Sequence, residues 1–340
     1  MRIAQISTLA APIRHNSHSS VESLVWLMTR ELARVGHEVT VFGVAGSEAD
    51  GEVVATLPGP YGENDSLEDW HLCEWINLCQ AIQQSGRFDV LHSHAYLWGL
   101  PLEPLSQAPM VHTMHVVPEE DSARLWARWP NACVTAISRH QWSAFPQFRP
   151  AAVIPHGVEA SEFTLQTSPQ DYVRYLGRFE PGKGPCQAIA AARAAGVRLL
   201  MAGPSNPYFR EKVQPLIDGK SVEYVGFVNG VERDHLLGSA RALVYPIQYP
   251  EAFGLVLVEA MLCGTPVAAM GLGAVPEILE EGVSGFTAAS AEEFARSIPK
   301  CFSLDRRVIR QRAEQRFSVE RMAETYARLY EAVISRQNLG

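Results

Sequence analysis

Apolar positions along the chain fall into two repeating series. In the first, a short apolar run at Arg2–Ser7 is followed by a polar loop and then by Leu24, Val25, Met28, Leu32 and Val35. That spacing predicts an amphipathic helix over about 21–35. Gly36 ends it in the left-handed position, and His37–Phe42 resumes as an apolar strand. Strand, helix and strand in this order imply a parallel pair with a right-handed crossover. The rhythm continues with a helix over 66–84 and short strands at Val90–His92, Met110–Thr113, Val134–Ile137 and Val153–Pro155. The polar stretch Glu159–Gln170 reads as a linker. A second series follows, with strands at Val173–Leu176, Val197–Met201, Val222–Val225, Ala242–Tyr245 and Pro266–Ala269. Helices over 185–195, 208–217, 231–238 and 254–263 alternate with them, and the last forty residues read as helical. Two such series predict an α/β protein with two Rossmann-like domains facing a cleft, over 1–158 and 171–317.

Composition agrees with two domains. The 340 residues are 47% apolar and 19% charged, a globular balance. A formal net charge of -8 disfavours broad nucleic-acid binding, which needs a basic footprint. None of the six cysteines forms a CxxC pair, and several sit in apolar runs, which suits a reducing cytoplasm. The N-terminal apolar run is too short for a secretory signal, and Gly and Pro break every stretch near membrane length.

Three clusters carry chemistry. In Glu251-Ala-Phe-Gly-Leu-Val-Leu-Val-Glu259, Glu259 is the only charged residue between Phe253 and Met270. A carboxylate inside a core helix must be hydrogen-bonded or paired. Gly254 and the free N–H groups of the first turn can approach an anion. The competing reading makes Glu251 a helix cap and gives Glu259 a buried arginine partner. In Tyr175-Leu-Gly-Arg178-Phe-Glu-Pro-Gly-Lys183-Gly, a strand ends in a loop with a planar cation and a point charge, a pair suited to phosphate oxygens. Solvated loop cations are the alternative. The third cluster is histidine: ten of the eleven precede residue 160, including His92-Ser-His94 and His112-Thr-Met-His115 at predicted strand ends. A metal site completed by Glu119, Glu120 or Asp121 is one reading. Without an HExxH motif, substrate contact by one histidine and packing by the others is favoured. Ala123-Arg-Leu-Trp-Ala-Arg-Trp129 interleaves basic and aromatic residues, but spans under two turns and reads as packing rather than a membrane or sugar surface.

On these residues the chain resembles glycosyltransferase family 4, retaining enzymes of the GT-B fold. The run EAFGLVLVEAMLCGTPV holds the family's paired glutamates, Glu251 and Glu259, and GRFEPGKG matches its donor-diphosphate loop with Arg178 and Lys183. DVLHSH, VHTMH, AISRHQ, VIPHGVE and GAVPEILEEGVSGF occur in the expected order, and FSVERMAETYARLYEAVI resembles the terminal helix, over 318–340, that crosses back to the N-domain. Two positions depart from the pattern: Ser19-Ser20-Val-Glu22 stands where the family often has Gly-Gly, and His156 replaces a usual Asn.

The resemblance implies a glycosyltransferase moving a sugar from a nucleotide-diphosphate sugar to a hydroxyl of a sugar, lipid or small molecule. Glu259 would accept the ribose hydroxyls. Arg178, Lys183 and the stretch Ala252, Phe253, Gly254 and Leu255 would hold the diphosphate. Glu251, and His112 from the N-domain, would contact the donor sugar. Attack from the face of departure, with a diphosphate oxygen taking the proton, would retain the anomeric configuration. With no DxD sequence, neither an obligatory metal nor a cofactor is expected, and membrane-surface contact is not expected either. A metal-dependent hydrolase built on the N-terminal histidines and a non-catalytic sugar-nucleotide-binding protein are the alternatives.

Overall fold

In the computed structural model, which describes residues 1–15, 17, 19–228 and 230–337, the chain divides into two units. One holds Met1–Gly157 and the chain from Val319 onward; the other is Val158–Ser318. Among the described residues no helix is long and apolar enough to cross a membrane.

The N-terminal unit runs β1 (Arg2–Ile6), α1 (Ser20–Arg34), β2 (Glu38–Val44), β3 (Glu52–Leu57), α2 (Trp70–Gln83), β4 (Val90–Ser93), β5 (Met110–Thr113), α3 (Glu120–Trp126), β6 (Cys133–Ala136) and β7 (Ala152–Val153). Its sheet has the order β3-β2-β1-β4-β5-β6-β7, and every pairing is parallel. Both faces are therefore covered, which is why its strands read as nearly unbroken apolar runs. Leu24, Val25, Met28 and Leu32 of α1 are buried as their spacing predicts. Asp69 caps α2 by accepting from the N–H groups of His71 at 2.9 Å and Leu72 at 3.3 Å, so this helix starts later than the apolar pattern suggests. β3 is absent from the sequence reading. It is the edge strand and is exposed or half-buried throughout, although Val53, Val54 and Ala55 are apolar.

The C-terminal unit runs β8 (Val173–Leu176), α4 (Pro185–Ala195), β9 (Leu199–Ala202), β10 (Val222–Tyr224), α5 (Gly230–Gly238), β11 (Ala242–Tyr245), α6 (Leu255–Leu262), β12 (Val267–Met270), α7 (Val275–Ile278), β13 (Gly285–Ala288), α8 (Ala291–Lys300) and α9 (Arg306–Phe317). The parallel sheet order is β10-β9-β8-β11-β12-β13. The short strand β13 also escapes the sequence pattern. The helix expected over 208–217 is present but irregular: a π-helical turn, Phe209–Val213, runs into a 3₁₀ turn, Gln214–Leu216. Pro215 cannot donate the hydrogen bond a continuing helix needs there.

Residues 159–170 are not a free linker. Phe163 is buried, and the Gln166 N–H donates to the Cys263 carbonyl at 3.1 Å. Arg310 donates to the Phe163 and Ala160 carbonyls at 2.6 and 3.1 Å. These bonds tie the stretch to the C-terminal unit, which therefore begins at Val158 rather than 171. The chain then returns to the N-terminal unit as α10 (Val319–Gln337). Val319, Met322, Ala323, Tyr326 and Tyr330 of α10 complete the apolar core formed by Ile3, Val25, Met28 and Val111.

Candidate active site

In each sheet the strand order reverses beside the first strand of its unit. Ligands of open α/β sheets bind outside the carboxyl ends of the strands at such switch points. In the C-terminal unit this point lies between β8 and β11. Lys183 comes from the loop after β8, while Tyr245 ends β11 and Glu251 follows it. Lys183 Nζ donates to Glu251 Oε2 at 2.7 Å, and the Tyr245 hydroxyl donates to the same oxygen. The Ala252 N–H donates to Glu251 Oε1 at 3.2 Å. Lys183 Nζ also lies 5.0 Å from the centroid of the Tyr249 ring, a cation–π distance.

Backbone geometry fixes this cluster. The Gln248 N–H donates to the Gly182 carbonyl at 2.8 Å, tying the two loops together. Glu251 forms a lone parallel bridge with Gly273, whose φ is +67°. A side chain on Gly273 would strike Glu251 N at 2.1 Å, so only glycine permits the approach. Burial disfavours the Lys183 charge, but Glu251 outweighs it and the ammonium pKa is raised. Burial, with the Glu251 charge, holds the Tyr245 phenol well above its ordinary range. The cluster thus keeps an ammonium and a phenol O–H on the Glu251 carboxyl group at neutral pH.

α6 begins beside Glu251. Its N-cap is Gly254 at φ 96°, and no side chain caps it; the Leu257 N–H donates to the Gly254 carbonyl at 3.0 Å, and the N–H groups ahead of it face the start of the helix, where an anion can bind. Glu251 is not a helix cap. Ala252 and Phe253 are buried, and the Phe253 ring packs edge-on against Phe317 at 5.9 Å. Phe253 can therefore offer a ligand its backbone only. Leu255 opens the helix. Glu259, one turn along, pairs with Arg233 of α5, as the competing reading of the sequence had it, although Arg233 is only partly buried. Arg178 is mostly exposed, and its Nη2 lies 3.4 Å from Glu180 Oε1. The structure thus joins Lys183 to Glu251 and leaves Arg178 and Glu259 with separate partners. Tyr245 and Arg233 were not found from the sequence. Tyr245 had one available signal, its place at the carboxyl end of a central strand.

The histidines of the N-terminal unit make a different network. His156 Nε2 lies 3.1 Å from His115 Nδ1, and His115 Nε2 lies 2.9 Å from His94 Nδ1. His94 Nε2 meets Gln5 Oε1 at 2.9 Å, and Gln5 Nε2 donates to the Tyr330 hydroxyl at 3.2 Å. Tyr330 meets His92 Nδ1 at 2.6 Å, and His92 Nε2 meets the Thr113 hydroxyl at 2.8 Å. One assignment satisfies every link: each neutral imidazole donates from Nε2 and accepts at Nδ1. Burial holds the His92, His94 and His115 pKa values well below the ordinary range and lowers His156 to about 4. Among the described residues no group of three or more His, Cys, Asp or Glu could hold a metal ion. Glu119, Glu120 and Asp121 are exposed. His112 is fully buried on β5 beside Gly99, and neither ring nitrogen has a hydrogen-bond partner among the described residues. Burial lowers its pKa to about 3. Trp126 of the Ala123–Trp129 segment stacks on Phe148 at 4.9 Å and meets Trp142 edge-on at 4.6 Å, so that segment is packing.

The sequence profile of the glycosyl transferases group 1 matches residues 159–316, and that of glycosyltransferase family 4 matches residues 21–162. The D-inositol 3-phosphate glycosyltransferase of Mycolicibacterium smegmatis (strain ATCC 700084 / mc(2)155) is 30% identical over 345 aligned residues, covering 84% of this chain and 79% of that protein. The chain belongs to glycosyltransferase family 4. Among solved structures, AviGT4, a glycosyltransferase involved in Avilamycin A biosynthesis, is 26% identical with a TM-score of 0.74, over 98% of both chains. Anabaena HepE, in complex with UDP and glucose, shares the fold with a TM-score of 0.73 at 21% identity, over 98% of this chain and 100% of that one. The fold of this glycosyltransferase is GT-B, and neither the metal-dependent hydrolase nor the non-catalytic binding protein finds support.

The glycosyltransferase departs from its family at Ser19-Ser20, which begin α1 without a side-chain cap. The loop after β1 is held by carboxyl groups instead. Glu22 Oε1 accepts from the Thr8 hydroxyl at 2.8 Å and from the Ala10 and Ala11 N–H groups at 2.9 and 3.3 Å. Glu74 Oε1 accepts from the Leu9 N–H at 2.9 Å.

Proposed function

We propose that this glycosyltransferase takes its sugar from a nucleotide-diphosphate sugar held by the C-terminal unit and transfers it to an acceptor hydroxyl with retention of configuration. The observation that carries the reading is the Lys183–Tyr245–Glu251 cluster at the switch point, beside the uncapped N-terminus of α6. A cation next to free helix N–H groups is a diphosphate site. HepE, of the same fold, binds UDP and glucose, which supports a nucleotide-sugar donor.

In this reading Lys183, Arg178 and the N–H groups around Phe253–Leu255 bind the diphosphate, and Glu259 accepts the ribose hydroxyls. As the glycosidic bond breaks, negative charge grows on the leaving phosphate. Fixed donors stabilise that charge more in the transition state than in the ground state. Glu251, already oriented by Lys183 and Tyr245, accepts hydroxyls of the donor sugar. His112, kept neutral by burial, offers the sugar a hydrogen bond and cannot serve as an acid at neutral pH. The acceptor's proton passes to a diphosphate oxygen. Cationic side chains and amides fill the electrophilic role, so activity is expected to persist in EDTA.

Thermal shift with UDP, GDP and ADP sugars tests the donor class, because a ligand bound only by the folded state raises Tm. One nucleotide series should raise Tm by several degrees, and Lys183→Ala should abolish the rise. No shift from any nucleotide sugar would reject the reading.

A further inference from the structure

Arg233 belongs to none of the motifs that point to the donor site, yet it is the sole hydrogen-bond partner of Glu259 among the described residues. Glu259 is 7% exposed, within a helix whose other residues are apolar. We propose that Arg233 is a positioning residue for the donor's ribose: it holds Glu259 by Oε2 and keeps the carboxylate ionised, leaving Oε1 to accept the ribose hydroxyls. The proposal rests on the assignment of Glu259 to ribose made above.

The argument is one of acceptor capacity and charge. An ionised carboxylate has about four acceptor sites, and a protonated one has fewer and must place its own O–H. A ribose diol brings two donors. The bond from Arg233 uses Oε2, and Oε1 has no hydrogen-bond partner among the described residues. A carboxyl group this deeply buried protonates unless a cation holds its charge.

Among the described residues the surroundings offer no second cation. Burial, with a smaller part from Glu162 of the turn Ala160–Glu162, raises the Glu259 pKa, and Arg233 opposes both. Cys263, one turn further along α6, is hydrogen-bonded to Asp234 Oδ1 of α5 at 3.3 Å. From α9, Arg310 is committed to the Leu262 and Phe163 carbonyls at 2.7 and 2.6 Å. Arg306 is committed to the Gly238 carbonyl at 2.5 Å and the Ala240 carbonyl at 2.9 Å. Arg233 is therefore the cation that favours the ionised, accepting form of Glu259 against its burial. Its own side chain is 35% exposed, so it can remain on Oε2 while a ligand occupies the other side of the carboxylate.

The test compares each nucleoside diphosphate (UDP, GDP and ADP) with its 2′,3′-dideoxy analogue by calorimetry at pH 6 and pH 9. The ribose is common to all three, so the preferred base need not be known. Phosphate titration cancels in the ratio. The wild-type protein should prefer the ribose form about ten- to a hundredfold at both pH values, the size of a lost charge-assisted hydrogen bond. Arg233→Leu should weaken that preference about tenfold or more at pH 6 and less at pH 9, because losing the cation lets burial raise the Glu259 pKa further. Arg233→Lys should restore it at pH 6. Arg233→Gln, tested in parallel, removes the charge but keeps a polar side chain in case the leucine variant does not fold. If the wild-type protein and Glu259→Gln show the same lack of preference, the ribose assignment itself fails. If the wild-type protein has the preference and Arg233→Leu and Arg233→Gln keep it undiminished at both pH values, the role of Arg233 is overturned.

Discussion

The two units hold their polar groups in opposite ways. The N-terminal unit buries a chain of neutral imidazoles, an amide and hydroxyls, in which every donor named has an acceptor and no net charge is needed. The C-terminal unit concentrates ion pairs, Lys183 with Glu251 and Arg233 with Glu259, around a strand end and a helix start. A satisfied neutral network gains nothing from a ligand and specifies packing. Charges held in pairs beside free backbone donors can exchange partners when an anion arrives. The difference separates the networked histidines from the paired glutamates of the proposed donor site, which residue type alone does not do.

The largest expected effect breaks the second network. Lys183→Ala removes a cation from the proposed diphosphate site and leaves the Glu251 carboxylate with the Tyr245 hydroxyl and one N–H. A charge-assisted hydrogen bond is worth roughly 1.5–3 kcal/mol, so kcat/KM should fall about ten- to a hundredfold or more. Steady-state kinetics with the donor found by thermal shift measures this. The matching change in the first network is Tyr330→Phe, which takes a partner from both Gln5 and His92. It should cost stability, roughly 1–3 kcal/mol by urea unfolding, while kcat/KM stays within about twofold. If the two variants exchanged these phenotypes, the contrast between the units would be wrong.

Much of this arrangement was legible in the sequence, for identifiable reasons. Parallel sheets are covered on both faces, so their inner strands announce themselves as apolar runs. β3 escaped this although Val53-Val54-Ala55 is apolar; its run is short and, at the edge of the sheet, none of its residues is fully buried. Glu251 and Glu259 stood out because a carboxylate in an apolar segment demands an explanation. Their partners did not. Lys183 is 68 positions from Glu251, and Arg233 is 26 from Glu259, and no periodicity connects residues brought together only by the crossovers between strands. The histidine spacings His92/His94 and His112/His115 suggested a common site. Instead, the pleat sends His112 to the face of β5 opposite Thr113, which His92 contacts.

A smaller effect sharpens the comparison through pH. Five imidazoles, the buried His92, His94, His112 and His156 and the half-buried His115, all have lowered pKa values. Between about pH 6.5, where a free histidine titrates, and their lower folded values, the unfolded chain binds more protons than the folded one. The histidines' contribution to the stability of the N-terminal unit is therefore complete above about pH 6.5 and is lost as the pH falls toward 4, by at least a few kcal/mol. The five outnumber two carboxyls with raised pKa, the buried Glu74 and the half-buried Glu103, which act in the opposite sense. All seven tryptophans, from Trp26 to Trp142, lie in the N-terminal unit. Tryptophan fluorescence therefore reports that unit alone. Its urea midpoint should fall steeply from pH 6.5 to 4.5, and a flat midpoint over that range would contradict the neutral network.

The smallest effect concerns Glu74, which pins the loop after β1 through the Leu9 N–H. Burial raises its pKa to about 8; the Leu9 hydrogen bond opposes this and the Glu22 charge adds to it. A carboxyl group raised in this way binds its proton in the folded state while the unfolded chain has already released it. Its contribution to stability is therefore full below about pH 4.5 and is lost as the pH rises toward 8. Glu74→Gln keeps an oxygen for the Leu9 N–H and cannot ionise. The variant should match the wild-type protein near pH 5 and exceed it by about 2 kcal/mol at pH 8, less than the full shift because the loop can relax and admit water. Glu74→Ala, which removes the acceptor as well, should be less stable than the glutamine variant at both pH values. Tryptophan fluorescence in urea reads both comparisons. Equal losses of stability from pH 5 to 8 in the wild-type and glutamine proteins would mean that Glu74 is ionised in the fold, and that the loop is held by a charge rather than by a neutral acid.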